Sequence, residues 1–180
     1  LHSTLGQYKA QVMADRVRDI HPDCQVRAIN RLYTEEDKAD FFDVPYDYIV
    51  DAIDLVSCKL SLIAHAHHLG IPIISALGTG NKLDPTAFRV ADINQTSVCP
   101  LARVVRRELK ARGILHHKVL FSTEPALTPA PLDAPPPGRR SIPASVSWVP
   151  SCAGLQLAGA VILDLVHTPE SPSNVEPASN

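Results

Sequence analysis

The stretch Tyr48-Ile49-Val50-Asp51-Ala52-Ile53-Asp54 decides the fold. An apolar run that delivers carboxylates at its C-terminal end is a recurrent ligand-site geometry in open α/β sheets. Tyr46 to Ile53 reads as a buried strand, Leu55 to Leu69 as a helix closed by Gly70, and Ile71-Pro72-Ile73-Ile74-Ser75 as the next strand. This β-α-β alternation predicts a parallel pair with a right-handed crossover. Gly6-Gln7-Tyr8-Lys9 lies upstream and Gly78-Thr79-Gly80-Asn81-Lys82-Leu83-Asp84-Pro85 downstream. Together the three segments supply a lysine, a carboxylate and a glycine-bearing loop, the inventory for holding a nucleotide and its magnesium.

Toward the N-terminus, Ser3 or Thr4 can cap a helix from about Gly6 to Ile20, which His21-Pro22-Asp23 stops. Gln25 to Ile29 alternates like a strand, and Thr34 followed by Glu35, Glu36 and Asp37 opens a short acidic helix. Toward the C-terminus, strands are predicted at Phe88 to Val90, Lys118 to Phe121 and Ser145 to Val149. Helices are predicted from Pro100 to about Arg112, ended by Gly113, and from Ala153 to Val166. Eight prolines between Pro125 and Pro150 mark an irregular excursion, part of it mobile. Residues 168–180 have the composition of a disordered tail, leaving one domain over 1–167.

With 180 residues the chain can bury a real core, and a net charge of −2 gives no general case for nucleic-acid binding. Cys24, Cys58, Cys99 and Cys152 form no C-x-x-C, which argues against a zinc ribbon or a disulfide scaffold and for a reducing, cytoplasmic setting. No segment approaches the roughly 18 apolar residues that a membrane span needs, so no insertion is expected.

Several residues carry two readings. Lys9 suits phosphate oxygens, or is a solvated lysine in a first helical turn. Asp54 suits Mg²⁺, or caps the following helix. Gly78 and Gly80 can present backbone N–H groups to phosphate, or form a plain turn. His65 and His68 have metal-pair spacing but no evident third ligand. Cys152 is a candidate thiol or a small helix-start residue; Cys58 and Cys99 read as structural. Arg103, Arg106, Arg107, Lys110 and Arg112 form a basic helix face for RNA phosphates, or a solvated face with Glu108 pairing internally.

The chain resembles the E1-like adenylating superfamily of ThiF and MoeB type, and within it the tRNA threonylcarbamoyladenosine dehydratase family. Gly6 to Ala10 and Tyr48 to Asp54 carry the superfamily pattern. Leu83-Asp84-Pro85-Thr86, Val90-Ala91-Asp92-Ile93, Cys99-Pro100-Leu101-Ala102-Arg103, Phe121-Ser122-Thr123-Glu124 and Val149 to Gly154 extend the match over about residues 1 to 166. Leu55 departs from the Asn common there.

The resemblance implies a Rossmann-like mixed sheet flanked by helices. It also implies that the N-terminal nucleotide-binding β-α unit lies upstream of Leu1, which would leave this stretch inactive alone. The implied reaction is ATP-dependent cyclisation of threonylcarbamoyladenosine in tRNA through carboxylate adenylation. Lys9 and Asp54 are the implied catalytic residues. Lys59, Gly78 and Gly80 join them around ATP, and Asp54 holds Mg²⁺. The implied partners are the modified tRNA and a second copy of the chain, with a sulfur-transfer protein as a further candidate. Two alternatives stand beside this: an activator of a sulfur-carrier or ubiquitin-like protein, and a non-catalytic interaction module.

Overall fold

The computed structural model describes residues 1–128 and 144–167. The chain divides into two compact units, Leu1–Phe41 and Phe42 onward. In the first, α1 (Lys9–Ile20) ends where His21 turns extended, and it buries only Ala14. The strand expected over Gln25 to Ile29 does not form. Alternation gives a segment two faces, but a strand also needs a ladder partner, and among the described residues none pairs with it. The acidic helix shrinks to α2 (Lys38–Phe41), after a turn in which the Asp37 N–H donates to Thr34 Oγ1 at 3.2 Å. Arg31 fixes that end of the unit by an ion pair to Asp40 at 2.6 Å, with its guanidinium over the Phe41 ring.

The second unit holds β1 (Ile49–Asp51), α3 (Val56–Leu69), β2 (Ile73–Ala76), β3 (Phe88–Asp92), α4 (Pro100–Ala111), β4 (Lys118–Ser122) and α5 (Trp148–His167). The strands form one mixed sheet in the order β1-β2-β4-β3. β1, β2 and β4 run parallel, and β3 returns antiparallel along β4. The predicted α/β mixed sheet and its β-α-β unit are therefore present. Gly70 and Gly113 end α3 and α4 with φ of +69° and +77°, a backbone shape that glycine adopts without steric cost.

Register sorts the two faces. Asp51 lies beside Ser75, and Ser75 beside Val119, on the face toward α3. On the opposite face Ile74, Leu120 and Phe88 pack against Val149, Ala153 and Leu157 of α5. Lys118 and Tyr48 both donate to Asp164 of α5 at 2.6 Å, fastening its far end. α4 turns the stripe Ala102, Val105 and Leu109 inward.

Two expectations are corrected. Ser145 to Val149 is not a strand. Trp148 opens α5, and Pro150 falls in the first turn, where the N–H it lacks would have no partner inside the helix. α5 is also long and apolar enough to cross a membrane, with mean hydropathy 1.7 over its window. Ser151, Gln156 and Asp164 lie among its apolar residues without lowering its mean hydropathy below that of a span. The centre of the proline-rich excursion and the tail lie outside the described residues.

Candidate active site

A cleft of about 830 Å³ opens at the C-terminal ends of β1 and β2. Ile53 and Asp54 form one wall, and Ala76 to Lys82 another. Val56 of α3, Pro100 and Leu101 of α4, and Pro150 and Ala153 of α5 also line it, so the first turns of three helices meet at one space. The first N–H groups of a helix have no internal partners and carry the positive end of its dipole. Val56 and Leu101 bring such N–H groups to the cleft, whereas Pro100 and Pro150 have none, so the starts of α3 and α4 make it suited to a polyanion.

Asp54 lies exposed on the rim, two residues ahead of Val56. The N-cap of α3 is Leu55, whose apolar side chain makes no cap hydrogen bond, so Asp54 stands one position ahead of the cap. Gly78 and Gly80 line the cleft beside it, and neither needs a left-handed backbone. That conformation falls to Asn81, at φ +58°. Asn81 bonds twice to Ala144, its N–H donating to the carbonyl and its Oδ1 accepting the amide, both at 2.7 Å. Its own carbonyl accepts from Leu127 at 2.8 Å. Sequence reading passed Asn81 over, although Asn enters this region more readily than most residues.

Lys59 is fully buried beneath the cleft, not among its lining residues. Its ammonium reaches Asp51 Oδ2 at 2.6 Å and the Ala76 carbonyl at 3.0 Å. Burial lowers its pKa, and the charges of Asp51 and Asp54 oppose that fall. Ser75 Oγ also donates to Asp51 Oδ2 at 2.6 Å, while the Ile53 N–H donates to Oδ1 at 2.9 Å. His117 Nε2 lies 2.8 Å from Ser75 Oγ. Burial lowers the His117 pKa to about 4, helped by His67 and Lys59 nearby.

The loop that walls the cleft is locked from below. The Glu124 carboxylate accepts the N–H groups of Leu83 at 3.0 Å and Asp84 at 3.1 Å, and Lys82 donates to the Glu124 carbonyl. Asp84 accepts both the amide and the hydroxyl of Thr86, which lowers its pKa. Asp-Pro-Thr and Ser-Thr-Glu, distant in sequence, thus form one structural lock.

The remaining candidates separate. Lys9 opens α1 in the first unit. His65 packs edge-on to Phe42, and His67 faces His117 with ring nitrogens 3.3 Å apart. Among the described residues no three metal-binding side chains gather. Cys58 and Cys99 are buried, and Cys152 is half-buried. Arg106 leaves the basic face to hold Thr96, and Arg107 and Arg112 pair with Glu108. Arg103, Arg107 and Lys110 stay exposed along one side of α4.

The ThiF family profile matches residues 2–168. A Bacillus subtilis tRNA threonylcarbamoyladenosine dehydratase is 38% identical over 92% of this chain, which spans 69% of that protein. The Escherichia coli enzyme of the same name is 36% identical over 72% of the chain, the match spanning 51% of its length. A solved TcdA structure superposes with a TM-score of 0.80 at 30% identity, over 92% of this chain and 68% of that one. The E. coli enzyme in complex with ATP superposes at 0.69 and 30% identity, over 90% and 69% of the two chains.

Proposed function

The chain belongs to the ThiF family, in its tRNA threonylcarbamoyladenosine dehydratase branch, and from that premise we propose that its cleft serves ATP-dependent dehydration of threonylcarbamoyladenosine in tRNA. A carboxylate is a poor electrophile because oxide would have to leave. In the proposed reaction the substrate carboxylate attacks the α-phosphorus of ATP and the bond to pyrophosphate breaks. The ureido group then closes onto the activated carbonyl, losing a proton as AMP departs, so the balance is loss of one water.

The observation that carries this reading is the meeting of the first turns of α3 and α4 with Asp54 and the Gly78 loop at one cleft. Fixed N–H dipoles stabilise developing phosphate charge without reorganising. Asp54 is the proposed metal carboxylate. One exposed hard-oxygen donor, with no cluster of three among the described residues, fits Mg²⁺, which takes one or two carboxylates and fills its shell with phosphate and water. When bound, that ion would neutralise phosphate charge. Gly78 and Gly80 are proposed to offer backbone N–H groups from the opposite wall. Lys9 is proposed, on the resemblance, to pair with phosphate oxygens. Lys59 acts in this reading through Asp51, without touching the nucleotide. The exposed Arg103, Arg107 and Lys110 are proposed to meet tRNA phosphates. The exposed apolar side chains Leu155, Ile162 and Leu163 of α5 support the expected homodimer, which sedimentation would check.

The test is product analysis with the full-length protein and tRNA bearing or lacking the modification. AMP and pyrophosphate should form only with modified tRNA. ADP as the sole nucleotide product would overturn the reading.

A further inference from the structure

Asp51 is the last acceptor of a chain of donors that begins at the other end of the sheet. His67, in the last turn of α3, and His117, just ahead of β4, line a second cavity of about 630 Å³. That cavity lies by Gly70 to Ile73, where β2 begins, whereas the nucleotide cleft lies where β2 ends.

Proton counting fixes the direction. Asp51, paired with Lys59, can only accept, so the single hydroxyl proton of Ser75 is committed to it. Ser75 Oγ can then only accept from His117, which therefore carries its proton on Nε2. His117 Nδ1 is left as an acceptor facing His67 Nε2. The run is His67 Nε2–H to His117, His117 Nε2–H to Ser75, and Ser75 O–H to Asp51. His117, Ser75 and Asp51 are all buried, so no water competes for these bonds.

The geometry at the receiving end gives the run a consequence. Asp51 Oδ1 holds the Ile53 N–H, inside the turn that presents Asp54 one residue later. Asp51 Oδ2 holds Lys59, whose ammonium also grips the Ala76 carbonyl at the root of the Gly78 loop. One carboxylate orientation therefore sets two walls of the cleft.

We propose that Ser75 and His117 are positioning residues for nucleotide binding: they hold the Asp51 carboxylate in the orientation that braces the Asp54 turn and the Lys59 tie to Ala76. The proposal rests on the reading of Asp54 as the metal–nucleotide carboxylate. It makes a cleft at one end of the sheet depend on a histidine at the other. Outer partners of this kind typically carry 10- to 100-fold of affinity or activity, about tenfold at the low end.

The test is single-turnover cyclisation by the full-length protein across a Mg²⁺–ATP titration. His117→Leu removes the donor. It should raise the half-saturating concentration about tenfold, with turnover at saturation changed by less than about threefold. His117→Gln keeps an N–H at similar reach and should stay within about twofold of wild type. A merely structural histidine would lower the melting temperature and leave the half-saturation of the folded protein unmoved. That result, for His117→Leu and Ser75→Ala together, would overturn the proposal.

Asp54→Asn run alongside separates the two levels. If it too leaves half-saturation unchanged, the reading of Asp54 fails and takes the proposal with it. If it alone shifts half-saturation, only the proposal fails. Histidine ¹⁵N spectra of the wild-type protein give a readout that needs no variant to fold. His117 should be the Nε2–H tautomer, and an Nδ1–H tautomer would break the donor run and the proposal.

Discussion

Lys59 reaches back from the first turns of α3 to Asp51 at the end of β1, ammonium to carboxylate 2.6 Å apart, with neither side chain exposed to solvent. Removing one member of such a pair strands the other charge in a medium that cannot solvate it. Lys59→Met should therefore destabilise the fold by about 3–5 kcal/mol. The double variant Asp51→Asn with Lys59→Met should regain a large part of that loss, because no uncompensated charge remains. Urea unfolding of the three proteins measures it. Equal midpoints for wild type and Lys59→Met would mean that the pair is hydrated in solution.

Asp54→Asn should preserve the fold and lower cyclisation on the order of 10²-fold at limiting Mg²⁺. Leu55, not Asp54, stands at the N-cap of α3, and asparagine keeps the size of the side chain. Circular dichroism and single-turnover assays decide the two halves. Cys152→Ala, assayed with it, should stay within about tenfold of wild type, since the cyclisation needs no covalent thiol. A complete loss with the fold intact would favour an activator of a carrier protein.

Stability should fall as pH is lowered from about 6.5 to about 4. In that window the unfolded chain takes up a proton that buried His117, its pKa lowered to about 4, refuses. The unfolded state then binds more protons, so acid favours it, by up to about 3 kcal/mol from this residue. Above pH 6.5 both states leave the ring neutral and the contribution is flat. The depressed carboxylates Asp84 and Asp164 act lower, below their ordinary value of 3.8. Melting temperatures across the window should slope for wild type and slope less for His117→Gln, where His67, its pKa also lowered by burial, still contributes. An unchanged slope in the variant would assign it to another group.

Glu124→Ala should free the cleft loop without unfolding the sheet. The carboxylate is the acceptor for the Leu83 and Asp84 amides, and each bond to a charged acceptor contributes about 1.5–3 kcal/mol. Amide exchange at these two positions should quicken at least about tenfold, while exchange in β2 and β4 stays as in wild type. Unchanged rates at Leu83 and Asp84 would show that the loop is held elsewhere.

Local chemistry made the β1-α3-β2 unit and α4 legible. Apolar runs of the right length end at Gly70 and Gly113, whose backbone shapes close the helices. The place of Asp54 at the cleft was legible because it follows a strand whose C-terminal end opens on the crevice of the sheet. What sequence hid was partnership. Gln25 to Ile29 alternates as well as a strand does, but ladder bonds come from a neighbour and not from a pattern. Lys59 reads as a helix-surface lysine until the fold lays Asp51 against it. Ser75 and His117 are 42 positions apart, and only the β2-β4 pairing brings them within hydrogen-bond reach. Ser145 to Val149 misled because Val146 and Trp148 alternate, while Val149 is the residue the core takes.

Asn81 ties Leu127 and Ala144 to the same cleft wall through its carbonyl, its N–H and its side-chain oxygen. Glycine could take its backbone shape, at φ +58°, but not its Oδ1 bond to Ala144. Aspartate could keep the oxygen but would add a charge to the wall. The position therefore asks for asparagine on two independent grounds, shape and acceptor, and few substitutions can meet both.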